Sequence, residues 1–293
     1  MDQTLTRQHP KSVLILGCGD LGQKTAQYLA AKGILVVGIR RNPPRNTEDA
    51  GNYPLFQYKK GDIRDIESIA PYLNDTITDI IFCPTPDDSN EESYLATYYQ
   101  PLQKLCNYLV SQRLMPRILF ISSTSVYAQD NGERVDETSP TQPRRFNGIC
   151  LLQCETLLAA SGLPHLVLRL GGIYGKNRCR LLDQLLSDKI QTPYQMTNRI
   201  HIEDAARAIT HLITAPSLEL EYVIFCITDH QPVTKFEIYH WLKPEASQHT
   251  NLHFDSKKIT GKAIDNLRLQ QTGFTFRYPS FKEGYQAILN NKI

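Results

Sequence analysis

A glycine-rich turn constrains the fold of this chain more than any other feature of the sequence. Val13–Leu16 is a short apolar run, and it leads into the G-x-G-x-x-G spacing of Gly17, Gly19 and Gly22. The residues that follow favour a helix, and a second apolar run comes after it. Strand, glycines, helix and strand in this order predict a βαβ unit that binds a dinucleotide.

Each glycine of this turn has a separate physical role. Gly17 permits the tight turn, Gly19 lacks the Cβ that would hold a pyrophosphate away from the backbone, and Gly22 lets the helix pack closely on the sheet. The backbone N–H groups and the positive dipole end of the helix would face the phosphates. The predicted cofactor-binding residues of the turn are Gly17, Gly19, Asp20, Leu21 and Gly22.

Apolar runs alternate with helical patterns through the first two thirds of the chain. The predicted strands are Val13–Leu16, Leu35–Ile39, Phe56–Lys59, Asp79–Cys83, Arg117–Ser122, His165–Leu170 and Tyr222–Ile227. The predicted helices are Leu21–Ala31, Ile66–Leu73, Ser93–Gln112, Gly148–Ala160 and Ile202–Thr214. Short apolar strands separated by amphipathic helices predict an α/β fold, a Rossmann-type doubly wound parallel sheet with helices on both faces.

The regular alternation ends near Gly171, which suggests a second, smaller part of the molecule. We expect a dinucleotide-binding domain from residues 11–170 together with about 201–228. Residues 171–200 and 229–293 are expected to form a small substrate-binding lobe towards the carboxyl terminus.

The composition indicates an ordinary globular protein that acts on a small molecule. Hydrophobic residues make up 41% and charged residues 21% of the 293 residues, and the net charge of +2 argues against a nucleic-acid or membrane-surface partner. No apolar stretch approaches the ~18 residues that span a bilayer. Residues 1–10 lack the apolar core of a signal peptide, so we expect a cytoplasmic protein. The seven cysteines contain no C-x-x-C pair, which predicts reduced thiols and no metal site.

The end of the second predicted strand bears on the choice of dinucleotide. Arg40 and Arg41 stand where NAD-binding proteins carry an acidic residue for the ribose 2′-hydroxyl. Two arginines could clamp a 2′-phosphate with forked hydrogen bonds, so the sequence favours NADP over NAD. The alternative is that both side chains are simply solvated.

Two further segments are predicted to contact the cofactor. Asp62 could accept a hydrogen bond from the adenine amino group while Ile63 packs on the ring, although Asp62 could also cap the helix that begins near Ile66. The loop Cys83-Pro84-Thr85 leaves the fourth predicted strand and should pass beside the ribose.

Several motifs together resemble one family of enzymes. The chain is similar to extended or atypical short-chain dehydrogenases/reductases of the NAD-dependent epimerase/dehydratase type. Besides the glycine turn, the resemblance rests on segments that keep their order over nearly the whole chain: Gly61-Asp62-Ile63, 121–127 (ISSTSVY), 136–140 (DETSP), 169–175 (RLGGIYG) and 199–204 (RIHIED). It implies an oxidoreductase or epimerase acting on a small carbonyl or sugar-like substrate. It also implies pairing into a homodimer as a possible assembly.

The catalytic pair of that family is absent from this chain. The resemblance implies a serine after the fifth strand, here Ser123, and a Tyr-x-x-x-Lys pair on the next helix, near residue 146 or 147. No tyrosine lies between Tyr127 and Tyr174, and no lysine lies between Lys104 and Lys176. Tyr127 is the only phenol close to the expected position. Arg144 or Arg145 could supply the missing positive charge.

Three interpretations remain open at this point. The protein could be an enzyme with non-standard catalytic residues, a non-catalytic NADP(H)-binding sensor, or a structural relic of the fold. Ser123 could act on substrate or only hydrogen-bond its own turn. Tyr127 fits packing better than chemistry. Helix capping explains both His201 and Asp204 of the H-x-x-D group without a metal.

Overall fold

The computed structural model describes residues 11–44, 53–187, 190, 192–215, 223–243 and 258–290. Parts of the expected lobe, and Tyr222 of the last predicted strand, lie outside these ranges. The strands are β1 Ser12–Leu16, β2 Leu35–Arg40, β3 Phe56–Lys60, β4 Asp79–Phe82, β5 Arg117–Ser123, β6 Arg134–Val135, β7 His165–Leu170, β8 Gly172–Tyr174, β9 Met196–Thr197, β10 Arg199–His201, β11 Ile224–Ile227, β12 Val233–Thr234 and β13 Ala263–Ile264.

Ten α-helices lie within the described residues. They are α1 Asp20–Ala31, α2 Ile66–Ile69, α3 Glu91–Tyr94, α4 Gln100–Ser111, α5 Phe146–Ala160, α6 Arg180–Leu186, α7 Ile202–Thr214, α8 Lys235–Leu242, and two more at Leu267–Gln271 and Phe281–Asn290. No described helix combines the length and the apolar character needed to cross a membrane.

Seven strands form the central sheet in the order β11-β7-β5-β4-β1-β2-β3. The strand pairs β1–β2, β1–β4, β2–β3, β4–β5 and β7–β11 are parallel. The predicted α/β class with a Rossmann-type parallel sheet is therefore confirmed. β2 and β3 lie on one side of β1, and β4, β5, β7 and β11 lie on the other. The strand order therefore switches at β1, and ligands of such sheets bind at this topological switch point.

The central strands β1, β4 and β5 form because most of their side chains are apolar on both faces. All five residues of β1 and all four of β4 are buried, and the side chains from Ile118 to Phe120 of β5 are inaccessible to solvent. Strands covered on both sides have no solvent-facing positions, so they read as continuous apolar runs.

Two helical segments differ from the sequence prediction because of proline. The helix predicted over 66–73 consists of α2 and a 3-10 turn, Ala70–Tyr72, that contains Pro71. Between α3 and α4 the chain forms a π turn, Leu95–Tyr99, just before Pro101. Proline has no N–H and clashes with the preceding turn, so the helical hydrogen-bonding pattern changes beside it.

The chain divides into two compact units. Unit 1 comprises 1–121 and 153–166, and unit 2 comprises 122–152 and 167–293. Unit 2 has an apolar core built around the buried rings of Tyr174, Tyr239, Phe281 and Tyr285. The domain bounds expected from the sequence stay a prediction.

Candidate functional site

The glycine turn joins β1 to α1 and is tightly packed at Gly17 and Gly22. Gly17 has φ of +82°, and a Cβ there would lie 2.6 Å from Pro84 Cα. A Cβ at Gly22 would lie 3.1 Å from the Ile15 side chain. At Gly19 the nearest atom to such a Cβ is 4.0 Å away, so this side of the turn is open. The tight turn and the close helix packing agree with the predicted roles of Gly17 and Gly22.

A pocket of about 270 Å³ opens beside this turn, within unit 1. The residues that line it follow the carboxyl ends of β1, β2, β3 and β4, the edge at which parallel α/β sheets bind ligands. Eight predicted cofactor residues line the pocket, namely Gly17, Gly19, Arg40, Arg41, Asp62, Ile63, Pro84 and Thr85. The lining also includes Ile39, Asn42, Gly61, Arg64, Asp87 and Thr97.

The other predicted cofactor residues do not line this pocket. Asp20, Leu21 and Gly22 form the first turn of α1, where backbone N–H groups have no partner within a helix. Cys83 lies behind the turn, and its thiol donates to the Gly17 carbonyl at 3.4 Å. Burial raises the pKa of Cys83 to about 12, so this side chain is a neutral thiol that supports the turn.

Charged side chains of alternating sign surround the mouth of the pocket. Arg41 donates two hydrogen bonds to Asp87, with Nη1 to Oδ2 at 2.8 Å and Nη2 to Oδ1 at 2.5 Å. Arg64 binds Asp62 through Nη2 at 2.7 Å and reaches Asp87 at 3.5 Å. Hydrogen bonds from the arginines lower the pKa of both Asp62 and Asp87. Arg40 instead packs its guanidinium 5.9 Å from the ring centroid of Tyr58.

Asp62 does not cap the helix that follows it. The N-cap of α2 is Asp65, which accepts from the Glu67 backbone N–H at 3.2 Å. The carboxylate of Asp62 accepts from the backbone and the guanidinium of Arg64, and it faces the pocket. Of the two roles open from the sequence, the pocket role fits this geometry.

Ser123 and Tyr127 flank a short 3-10 turn, Thr124–Val126, in unit 2. Ser123 Oγ accepts from the Ser125 backbone N–H at 3.1 Å and so caps the turn. Tyr127 is only 3% exposed, and its hydroxyl accepts from Arg169 Nη1 at 2.7 Å. Burial raises the pKa of Tyr127 well above that of a free phenol. This geometry suits packing better than proton exchange.

The helix that would carry the missing tyrosine packs directly on this turn. A Cβ at Gly148, on α5, would collide with the Ser125 carbonyl oxygen. A lysine that the sequence did not single out is present instead. Lys262 Nζ donates to the Tyr127 carbonyl at 2.7 Å, and burial lowers the pKa of this lysine. Because it lies 135 residues away along the chain, no local motif could identify it.

Metal binding has no support from side-chain clusters in the described parts of the chain, where no group of three or more His, Cys, Asp or Glu side chains could hold an ion. His201 caps α7 by accepting from the Glu203 N–H at 3.2 Å. Asp204, in contrast, is not a cap, because it accepts from the backbone N–H groups of Arg277 and Tyr278.

Comparison with known proteins identifies the family. The model of the NAD dependent epimerase/dehydratase family matches residues 13–227. Protein YeeZ of Escherichia coli K12 is 30% identical over 278 residues, which cover 92% of this chain and 97% of that protein.

Solved structures share the fold over nearly the full length. A Methylobacillus flagellatus protein, provisionally assigned as an NAD-dependent epimerase/dehydratase, superposes with a TM-score of 0.80 at 30% identity, covering 96% of this chain and 98% of its own. UDP-glucuronic acid 4-epimerase from Bacillus cereus, in complex with NAD, superposes with a TM-score of 0.74 at 20% identity, covering 95% and 99%. With a parallel sheet, a glycine turn and these matches, the chain belongs to the NAD dependent epimerase/dehydratase family.

Proposed function

We propose that this protein binds a nicotinamide dinucleotide at the carboxyl ends of β1 to β4. The observation that carries the proposal is the glycine turn, which is open at Gly19 and borders the pocket. The pyrophosphate would lie against the N-terminus of α1, as phosphates do at helix starts. The adenosine would lie between Asp62 and Ile63 on one side and the loop of Pro84 and Thr85 on the other.

NAD is the form of the dinucleotide that we propose, in place of the NADP expected from Arg40 and Arg41. The guanidinium of Arg41 is already engaged by Asp87, and Arg40 lies against Tyr58. A 2′-phosphate would therefore compete with a carboxylate for its cation. The Bacillus cereus epimerase, with the same fold, was solved in complex with NAD, which is consistent with this choice.

The chemistry we propose is oxidoreduction or epimerisation of a small carbonyl or sugar-like substrate. When bound, the dinucleotide supplies a hydride acceptor or donor. Ser123 is the residue of this chain that we propose to hydrogen-bond the reacting oxygen, as the family resemblance implies. Tyr127 is buried and bound to Arg169, so we do not propose it as the proton-transfer group. Lys262 is a cation held beside the same turn and is our candidate for the missing positive charge.

A non-catalytic NAD(H) sensor is the second candidate function. The observation that favours it is the loss of the Tyr-x-x-x-Lys pair, together with the burial of Tyr127. Such a protein would bind the dinucleotide without turnover and would retain a partner protein in only one redox state.

The two functions can be separated by turnover measurements on the purified protein. Oxidation of NADH should be followed with a panel of small aldehydes, ketones and 4-keto nucleotide sugars. Ser123→Ala should lower kcat by about a hundredfold or more while the dinucleotide Kd changes little, because the serine would act on the substrate oxygen. Ser111→Ala, at the end of α4, is the matched control. Tight dinucleotide binding without turnover of any substrate would favour the sensor, and unchanged turnover in Ser123→Ala would contradict the role of this serine.

A further inference from the structure

In NAD-binding folds, a carboxylate at the end of the second strand hydrogen-bonds the ribose 2′-hydroxyl. The end of β2 has no such carboxylate in this chain, but a carboxylate from another loop lies beside it. Asp87 follows β4 in the chain, and its two oxygens bind the two terminal nitrogens of Arg41, one residue past β2. Both residues line the same pocket as Gly17 and Gly19. A residue 46 positions away therefore brings a negative charge to the mouth of the candidate adenosine site.

The ion pairs around Asp87 remain accessible to a ligand. The side chains of Arg41 and Asp87 are 47% and 50% exposed, and those of Arg64 and Asp62 are 42% and 32% exposed. Ion pairs exposed to this degree exchange partners at little energetic cost. The Arg41–Asp87 ion pair can therefore open, and an incoming anionic group could replace Asp87 as the partner of Arg41.

Building on the proposed dinucleotide function, we propose that Asp87 determines the specificity of the site by favouring a ribose 2′-hydroxyl over a 2′-phosphate. A hydroxyl is neutral and can donate to a carboxylate while Arg41 keeps its partner. A 2′-phosphate carries close to two negative charges and binds best to a forked guanidinium. It would displace Asp87 from Arg41 and leave an unpaired carboxylate beside the phosphate.

The other charged side chains of the pocket show which cation Asp87 neutralises. Three arginines, Arg40, Arg41 and Arg64, line the pocket with two aspartates, Asp62 and Asp87. Arg64 hydrogen-bonds Asp62 in a forked pair at 2.7–3.1 Å, whereas Arg41 acts on Asp62 only through its charge. Removing the charge of Asp87 would leave Arg41 without a hydrogen-bonded carboxylate among the described residues, with only the longer-range charge of Asp62 nearby, and so available to bind a phosphate.

The test compares the affinities of the full-length protein for NADH and NADPH, before and after Asp87→Asn. The substitution keeps the shape of the side chain and removes its charge. The ratio of the NADPH Kd to the NADH Kd should fall by about tenfold, mainly through tighter NADPH binding. Asp88→Asn is the matched control, because Asp88 is the next residue, is exposed and does not line the pocket. Adding Arg41→Ala to Asp87→Asn should cancel the gain for NADPH.

The outcomes separate this inference from the function on which it rests. If the unaltered protein binds neither NADH nor NADPH, the proposed function itself fails. If the protein binds NADH but Asp87→Asn leaves the ratio unchanged, or tightens both nucleotides equally, the role of Asp87 is refuted and dinucleotide binding stands. If the double variant with Arg41→Ala still binds NADPH more tightly, the role of Asp87 is also refuted. The tighter NADPH binding would then not come from the Arg41 guanidinium released by Asp87→Asn.

Discussion

At the scale of single residues, two glycines of this chain are required for different physical reasons. Gly17 and Gly33 both have φ near +80°. A Cβ at Gly17 would lie 2.6 Å from the backbone of Pro84, whereas a Cβ at Gly33 would meet no atom within 4 Å. Position 33 requires glycine only for its positive φ. Position 17 requires glycine both for its positive φ and because a side chain would collide with Pro84.

Gly17→Ala should therefore destabilise the protein by roughly 2–4 kcal/mol, because the strain of positive φ adds to a backbone clash. Gly33→Ala should cost only about 1 kcal/mol, the penalty for the left-handed conformation. Urea denaturation of both variants measures the difference. Equal losses of stability would contradict the close approach of Pro84 to the turn.

Asp229 is a buried carboxyl group with an incomplete set of partners. It is 1% exposed, its Oδ1 accepts from the Gln231 N–H at 3.1 Å, and its Oδ2 has no hydrogen-bond partner among the described residues. Burial, only partly offset by the Gln231 N–H and by Arg199, raises the pKa of Asp229 to about 8. The folded state thus keeps a proton that the unfolded chain releases above about pH 4.

The sign of the pH dependence follows from this proton. Between about pH 4 and the pKa of about 8 the folded state binds more protons than the unfolded state, so stability falls as pH rises through that range. The loss should be on the order of a few kcal/mol by pH 8, and Asp229→Asn should flatten the profile. Unfolding free energies measured from pH 5 to 8 in both proteins provide the test. An equal slope in the variant would show that Asp229 is ionised in the folded state.

At the scale of elements, the side chain of Asp204 ties helix α7 to the chain just before the last helix. Asp204 is fully buried and accepts from the backbone N–H groups of Arg277 at 2.8 Å and Tyr278 at 2.7 Å. Arg207, one turn further along α7, donates to the same carboxylate at 2.7 Å. The carboxylate therefore satisfies donors from two segments that are distant in the sequence.

Asp204→Ala should reduce the free energy of unfolding by about 3–5 kcal/mol, since it leaves buried donors without an acceptor. Asp75→Ala, at an exposed position before β4, should change it by less than about 0.5 kcal/mol. Thermal and chemical denaturation of the two variants can be compared directly. A loss below about 1 kcal/mol for Asp204→Ala would contradict the tie between the segments.

At the scale of the whole molecule, features encoded locally could be predicted from the sequence and features created by strand order could not. The glycine turn and the apolar strands are short-range patterns, and the parallel sheet followed from their alternation. Asp87 and Lys262 were missed because each meets its partner across loops that only the tertiary fold brings together. Arg64 was missed although its main partner, Asp62, is only two residues away. The sequence left Asp62 open as a cap of α2, whereas the structure has Asp65 in that role, because spacing does not fix which carboxylate reaches an N–H group.

The central claim is that the chain binds a nicotinamide dinucleotide at the turn from Gly17 to Gly22. Calorimetric titration of the purified protein with NAD, NADH, NADP and NADPH tests it most directly. We predict saturable binding with NAD(H) tighter than NADP(H), and loss of binding in Gly19→Val, where a side chain would fill the open side of the turn. Absence of binding heat with all four nucleotides, under conditions in which the protein is folded, would contradict it.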